Sequence, residues 1–171
     1  MIQILPCLYM GKLNDIKALD LKKNNIKALV VCCTYLEYPQ DKIPKGYDGL
    51  RINLEDMGLE QISQYFDESN NFIHSFVTQN KPVFVTCSHG ISRSPTIVLA
   101  YLIGKQNYFL NEAFNFLMNK KNICPNVGFA EQLCNYEESI KNKITFCSKK
   151  YADWYVSDMC YNNVIIDFSP E

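Results

Sequence analysis

The segment Cys87-Ser88-His89-Gly90-Ile91-Ser92-Arg93 puts a thiol and a guanidinium at the two ends of one short loop. A phosphoryl group in transfer presents three charged oxygens. A site for it needs inward-facing N–H donors, a fixed cation and a nucleophile aligned with the leaving group. Five residues separate Cys87 from Arg93, which lets the loop return the guanidinium over the anion that the sulfur attacks. Arg suits this place better than Lys because its planar fork binds two oxygens at once. Gly90 permits a turn that other residues resist, so Ser88, His89, Gly90, Ile91, Ser92 and Arg93 are the expected phosphate-binding set. The same donors stabilise a Cys87 thiolate in the empty site. A cysteine at a strand end is commonly just a small buried residue; its company here is what points to a nucleophile. His89 either faces substrate or caps the outer edge of the loop.

Such a loop must be carried by a strand that ends before it and a helix that starts after it, so that the N–H groups form an anion nest above a positive helix end. Val83-Phe84-Val85, entered from Pro82, reads as that strand, and Ser94-Pro95 opens an apolar helix through Ile97, Val98, Ala100, Tyr101 and Leu102. Elsewhere the pattern predicts an extended piece from Ile2 to Tyr9, a helix from about Asn14 as N-cap to Asn24-Asn25, and a buried strand from Ile26 to Cys33. Pro39, Pro44 and Gly46 mark a loop, and Leu50 to Leu54 a short strand. Helices follow over about Gln61–Gln79, Asn111–Lys120 and Gly128–Glu138, with Ile62, Phe66, Ile73 and Val77 sharing a face of the first. The fold class predicted is α/β, a central mostly parallel sheet of about four or five strands flanked by helices, with the site at the carboxyl ends of the strands.

With these motifs in place, the chain resembles the dual-specificity branch of the protein tyrosine phosphatases, whose signature is Cys, five residues, Arg, then Ser or Thr; here Ser94 follows Arg93. Ile4-Leu5-Pro6 with Leu8-Tyr9-Met10-Gly11 looks like the family's opening strand, and Pro125-Asn126-Val127-Gly128-Phe129 like its late Pro-Asn-x-Gly-Phe turn. The family carries an Asp about thirty residues before the nucleophile, followed nine and ten residues later by an aromatic pair. Asp56 with Tyr65-Phe66 matches that pattern, and Glu55 misses it by one residue. The resemblance implies that Cys87 attacks phosphorus, that Asp56 is the general acid and then base, that Arg93 holds the oxygens, and that Ser94 helps the sulfur leave. Asn126 either braces the loop, as the matching family position suggests, or only makes a turn. One departure is Thr86, where the family usually has a His that favours the thiolate; an uncharged residue there is expected to slow turnover.

The resemblance covers roughly residues 2 to 140. It implies a catalytic domain over 1–140 like the small atypical enzymes, with no separate docking domain ahead of it. Residues 141–171, rich in Tyr151, Trp154, Tyr155, Tyr161 and Phe168, are too aromatic for a disordered tail and are expected to pack on the domain or on a partner. The expected substrate is a phosphorylated protein, and no metal or organic cofactor is required. A phosphate-binding pseudophosphatase, or an enzyme for phosphoinositides or RNA 5′ ends, are the alternative readings.

With 171 residues, 47% of them hydrophobic, the chain suits one domain with its own core. A net charge of -1 gives no general field for nucleic acid or an anionic membrane, so no nucleic-acid partner is expected. No run reaches the length of a membrane span and no basic, apolar leader is visible, which predicts a cytoplasmic or nuclear protein. Eight cysteines lie in apolar segments without Cys-x2-Cys spacing, and His74 and His89 are the only histidines, so reduced thiols are expected rather than zinc. Cys32-Cys33 end a strand expected beside the loop strand, within range of a reversible link to an oxidised Cys87.

Overall fold

A computed structural model describes residues 1–157 and 166–170. Two strands open the chain, β1 (Ile2–Leu5) and β2 (Leu8–Lys12), antiparallel across a turn in which Cys7 adopts φ 62°. The single extended piece expected there is therefore two strands. Further along come β3 (Ala28–Cys32), β4 (Asp48–Ile52) and β5 (Val83–Cys87), giving one five-stranded sheet in the order β1-β2-β5-β3-β4. All pairings but β1 with β2 are parallel. Every residue of β3 and β5 is buried, as expected of central parallel strands covered on both faces.

The helices are α1 (Ala18–Lys23), α2 (Phe66–Val77), α3 (Arg93–Lys105), α4 (Leu110–Met118), α5 (Val127–Lys141) and α6 (Ser148–Val156). Residues 93–103 of α3 are all buried, because the helix packs against β5, α2, α4 and α5 at once. A single apolar stripe would put polar side chains on the enclosed remainder; beyond Arg93, Ser94 and Thr96 of its first turn, the buried part of α3 is apolar on every side because it is enclosed on every side.

Several boundaries differ from the sequence reading. Asn14 falls inside a 3-10 turn, Leu13–Asp15, in which Asp15 accepts from the Lys12 N–H, and α1 starts only at Ala18. β4 runs two residues earlier than expected because its register is set by β3, Ala28 opposite Asp48 through Cys32 opposite Ile52. Its exposed start, Asp48-Gly49, carries no strand propensity. Residues Ile62–Tyr65 form a 3-10 turn ahead of α2, and Val77 is only partly buried while Ser69 and Asn70 are buried.

The C-terminal aromatic residues converge on one cluster. Phe146, Tyr151, Trp154 and Phe168 are fully buried; Phe146, Tyr151 and Phe168 meet Phe114 of α4, and Trp154 packs on Tyr151 and Phe168, with ring centroids 5.0 to 5.6 Å apart along these contacts. The Tyr151 hydroxyl donates to Pro125 O at 2.6 Å. Tyr161 and Cys160 lie outside the described residues.

Candidate active site

β5 ends at Cys87 and α3 begins at Arg93, so the five residues between them form the loop at the carboxyl end of the central strand. Its path is fixed from β2. Thr86, buried, donates its hydroxyl to Gly11 O at 3.2 Å, and Gly90 turns with φ 69° directly over Gly11. A Cβ at residue 90 would stand 2.7 Å from both Gly11 C and Gly11 O, so only glycine allows this crossing. Thr86 thus serves as a tie between loop strand and β2, a role that needs one hydroxyl and no charge.

At the base of the loop, the Gly90 N–H and the Ser94 hydroxyl each donate to Cys87 Sγ at 3.2 Å. Cys87 is buried. Asp56 comes from the loop after β4. Its Oδ1 accepts from Ser92 Oγ at 2.6 Å and from Asn126 Nδ2 at 2.9 Å. Asn126 also donates its backbone N–H to Ser92 Oγ at 3.1 Å and caps α5 by accepting from the Phe129 N–H at 3.0 Å. Of the two readings of Asn126, the geometry is that of a brace: one residue joins the Asp56 loop, the Cys87–Arg93 loop and the start of α5. Glu55 is exposed and makes none of these contacts.

Asp56, Cys87, His89, Ile91, Ser92 and Cys124 line one cavity of about 210 Å³. His89 is exposed, on the ridge between this cavity and a neighbouring groove lined by Lys12 and Lys121. The loop's outer side is held by Cys124, whose N–H donates to Ile91 O at 2.8 Å.

Glu37 is the residue that sequence reasoning missed. It follows β3 and grips Arg93 with both oxygens, Nη1 to Oε2 at 2.5 Å and Nη2 to Oε1 at 2.7 Å. Ser88 Oγ donates to the same Oε1 at 2.7 Å. Arg93 Nη1 also donates to Leu54 O at 3.1 Å. Arg93 Nε is buried, has no hydrogen-bond partner among the described residues, and lies 3.7 Å from Asp56 Oδ2. Arg93's hydrogen bonds are the main reason that the Glu37 carboxyl is lowered from 4.5 to about 2. Cys33 Sγ stands 3.6 Å from Ser88 Oγ, and Cys32, wholly buried, has its thiol pushed up by burial. No cluster of His, Cys, Asp and Glu with metal-binding geometry occurs among the described residues, and no described helix is long and apolar enough to cross a membrane.

Residues 8–139 match the family described as the dual specificity phosphatase catalytic domain. Human dual specificity protein phosphatase 16 is 36% identical over 142 residues, 82% of this chain and 21% of that protein. Human dual specificity protein phosphatase 7 is 35% identical over 147 residues, 81% of this chain and 33% of that protein. The chain thus spans a third or less of the length of these two relatives. Among solved structures, that of DUSP15 superposes with a TM-score of 0.74 at 29% identity, covering 92% of this chain and 95% of that one. Human DUSP28 shares the fold at a TM-score of 0.76 and 24% identity, over 83% of this chain and 99% of that one.

Proposed function

The chain belongs to the dual specificity phosphatase family, and on that footing we propose that it is a protein phosphatase hydrolysing phosphotyrosine and phosphoserine or phosphothreonine through a phosphocysteine intermediate. The observation that carries this reading is Cys87 Sγ, held at 3.2 Å by both the Gly90 N–H and the Ser94 hydroxyl and sharing one cavity with Asp56. The Cys87 thiolate attacks phosphorus, and the bond to the seryl, threonyl or tyrosyl oxygen breaks as Asp56 gives that oxygen its proton. Water then attacks phosphorus, Asp56 takes a proton from it, and the P–S bond breaks to release inorganic phosphate. Ser94, donating to sulfur, stabilises the thiolate as it leaves. The amides of Ser88, His89, Gly90, Ile91 and Ser92 with Arg93 hold the equatorial oxygens. Glu37 occupies the Nη1–Nη2 edge of Arg93, which leaves the Nε side toward Asp56 for the phosphate.

Residues 1–140 form the catalytic unit in this reading, and 141–171 an extension whose described residues Phe146, Tyr151, Trp154 and Phe168 are buried. We propose with it a role in signalling at a cytoplasmic or nuclear location. The test is turnover of an aryl phosphate and of phosphotyrosine and phosphothreonine peptides in EDTA. Cys87→Ser is expected to abolish it, and Asp56→Asn to reduce it at least ~100-fold on the peptides, the usual size of a general acid's contribution. Turnover that survives Cys87→Ser, or that requires a metal, would refute the mechanism.

A further inference from the structure

One wall of the active-site cavity comes from beyond the part of the chain that matches the family. The match ends at residue 139, yet Tyr155 of α6 lines the same cavity as Cys87 and Asp56. Its placement is built from several contacts. Tyr151, one helical turn earlier, is fully buried and donates its hydroxyl to Pro125 O at 2.6 Å. On one side of Pro125, Cys124 holds the phosphate loop through Ile91 O; on the other, Asn126 holds Asp56. The three-residue stretch 124–126 therefore ties α6, the loop and the acid into one piece, and residues four apart on a helix share a face. The Tyr151 and Tyr155 rings stand 6.3 Å apart.

The chemistry of the lining divides in two. Cys87, Asp56, Ser92 and the exposed His89 are reacting or hydrogen-bonding groups, and Cys124 is buried with its N–H already committed. Ile91 and Tyr155 bring the large apolar surfaces: Ile91 is 38% exposed, and the Tyr155 ring is half-buried. At about 210 Å³ the cavity is smaller than the ~300–1,000 Å³ of sites for drug-sized ligands, so it fits a single phosphorylated side chain. A phosphotyrosine whose phosphorus sits over Cys87 carries a ring between phosphate and backbone, where these surfaces lie. A phosphothreonine carries two carbons in its place and leaves them unfilled.

We propose that Tyr155 is a specificity-determining residue whose ring packs on the aromatic ring of phosphotyrosine, so that α6 biases this site toward aryl over alkyl phosphate monoesters. This rests on the phosphatase reading above. Aromatic pairs prefer offset or edge-to-face contact and add to affinity beyond the area they bury.

The experiment measures binding to the Cys87→Ser form, which needs no turnover, with three probes: a phosphotyrosine peptide, the same peptide carrying phosphothreonine, and inorganic phosphate. Adding Tyr155→Ala is expected to weaken the phosphotyrosine peptide ~3–10-fold, the worth of one ring contact. Phosphothreonine and inorganic phosphate are expected to change less than twofold, and Tyr155→Phe to restore the tight binding. In the enzyme with Cys87 intact, the loss is expected in KM for the phosphotyrosine peptide more than in kcat. Equal weakening of all three probes would show that Tyr155 only supports the loop, and no weakening of any would remove it from recognition; either overturns the proposal. Failure of the wild type to turn over any phosphate would instead count against the phosphatase reading, while the binding series would still decide the role of Tyr155.

Discussion

Arg93 has two edges to offer, and Glu37 takes one of them. Its two oxygens hold Nη1 and Nη2, and its contacts with the Thr34 N–H and hydroxyl, at 3.0 and 3.3 Å, fix the carboxylate in turn. Glu37→Gln keeps the shape but loses the charge-assisted pair, so kcat/KM is expected to fall about tenfold or more, the effect of loosening hydrogen bonds to a charged group. A rise in kcat/KM would mean that Glu37 competes with phosphate for Arg93. The same pair sets a pH dependence of stability. Arg93's hydrogen bonds lower the folded carboxyl from 4.5 to about 2. A group so depressed adds stability that is complete above its unfolded value and is lost as pH falls toward the folded one. The melting-temperature gap between wild type and Glu37→Gln is therefore expected to be flat from about pH 7 to about pH 5 and to narrow below that. A gap that widens on acidification would contradict the pairing. That Asp56 stands beside the loop was legible in the sequence because a family pattern ties it to Cys87 by spacing. Glu37 was not, because it reaches Arg93 across 56 positions from a loop whose composition signals only a turn.

At the scale of elements, the loop that carries Asp56 and the start of α5 are pressed together backbone to backbone. A Cβ at Gly128 would stand 2.0 Å from Gly58 O, and Gly58 lies two residues after Asp56. Gly128→Ala must push the Asp56 loop away, at a stability cost of ~1–3 kcal/mol for forced repacking. Activity is expected to fall more on phosphothreonine, whose alkoxide needs its proton, than on nitrophenyl phosphate, whose phenolate leaves unaided. Equal losses on both would place the damage in the loop rather than at the acid. Which elements were readable follows the same physics of burial. β3, β5 and α3 are enclosed, so their sequences are continuous apolar runs that announce themselves. β4 begins with exposed Asp48-Gly49 and takes its start from β3's register, a long-range fact. α6 interleaves Lys149, Lys150 and Asp153 with its aromatic residues, so its sequence showed a packed segment but no helix.

Over the whole molecule, the C-terminal aromatic cluster and the framework of the candidate site are joined through shared contacts, and their stabilities are expected to behave as a single quantity. Phe114 of α4 contacts Phe146, Tyr151 and Phe168, while Tyr151 also anchors Pro125 beside the site. Trp154, fully buried between Tyr151 and Phe168, is the largest side chain in that junction. Trp154→Ala is expected to cost ~3–5 kcal/mol. Two buried thiols report how the loss is distributed. Cys134 of α5 donates to Phe146 O at 3.4 Å and is pushed up to about 12 by burial, and Cys32 in the central sheet is pushed up by burial as well. Burial is expected to keep both from an alkylating reagent until the structure around them opens, so their labelling rates would measure the free energy of opening. If the extension and the domain open as one unit, Trp154→Ala accelerates labelling of Cys134 and of Cys32 by the same factor. Faster labelling of Cys134 with Cys32 unchanged would show the extension peeling away alone. The shared Phe114 and Pro125 contacts predict the first result, because releasing α6 uncovers the face of α4 and frees the stretch that holds both the phosphate loop and Asp56.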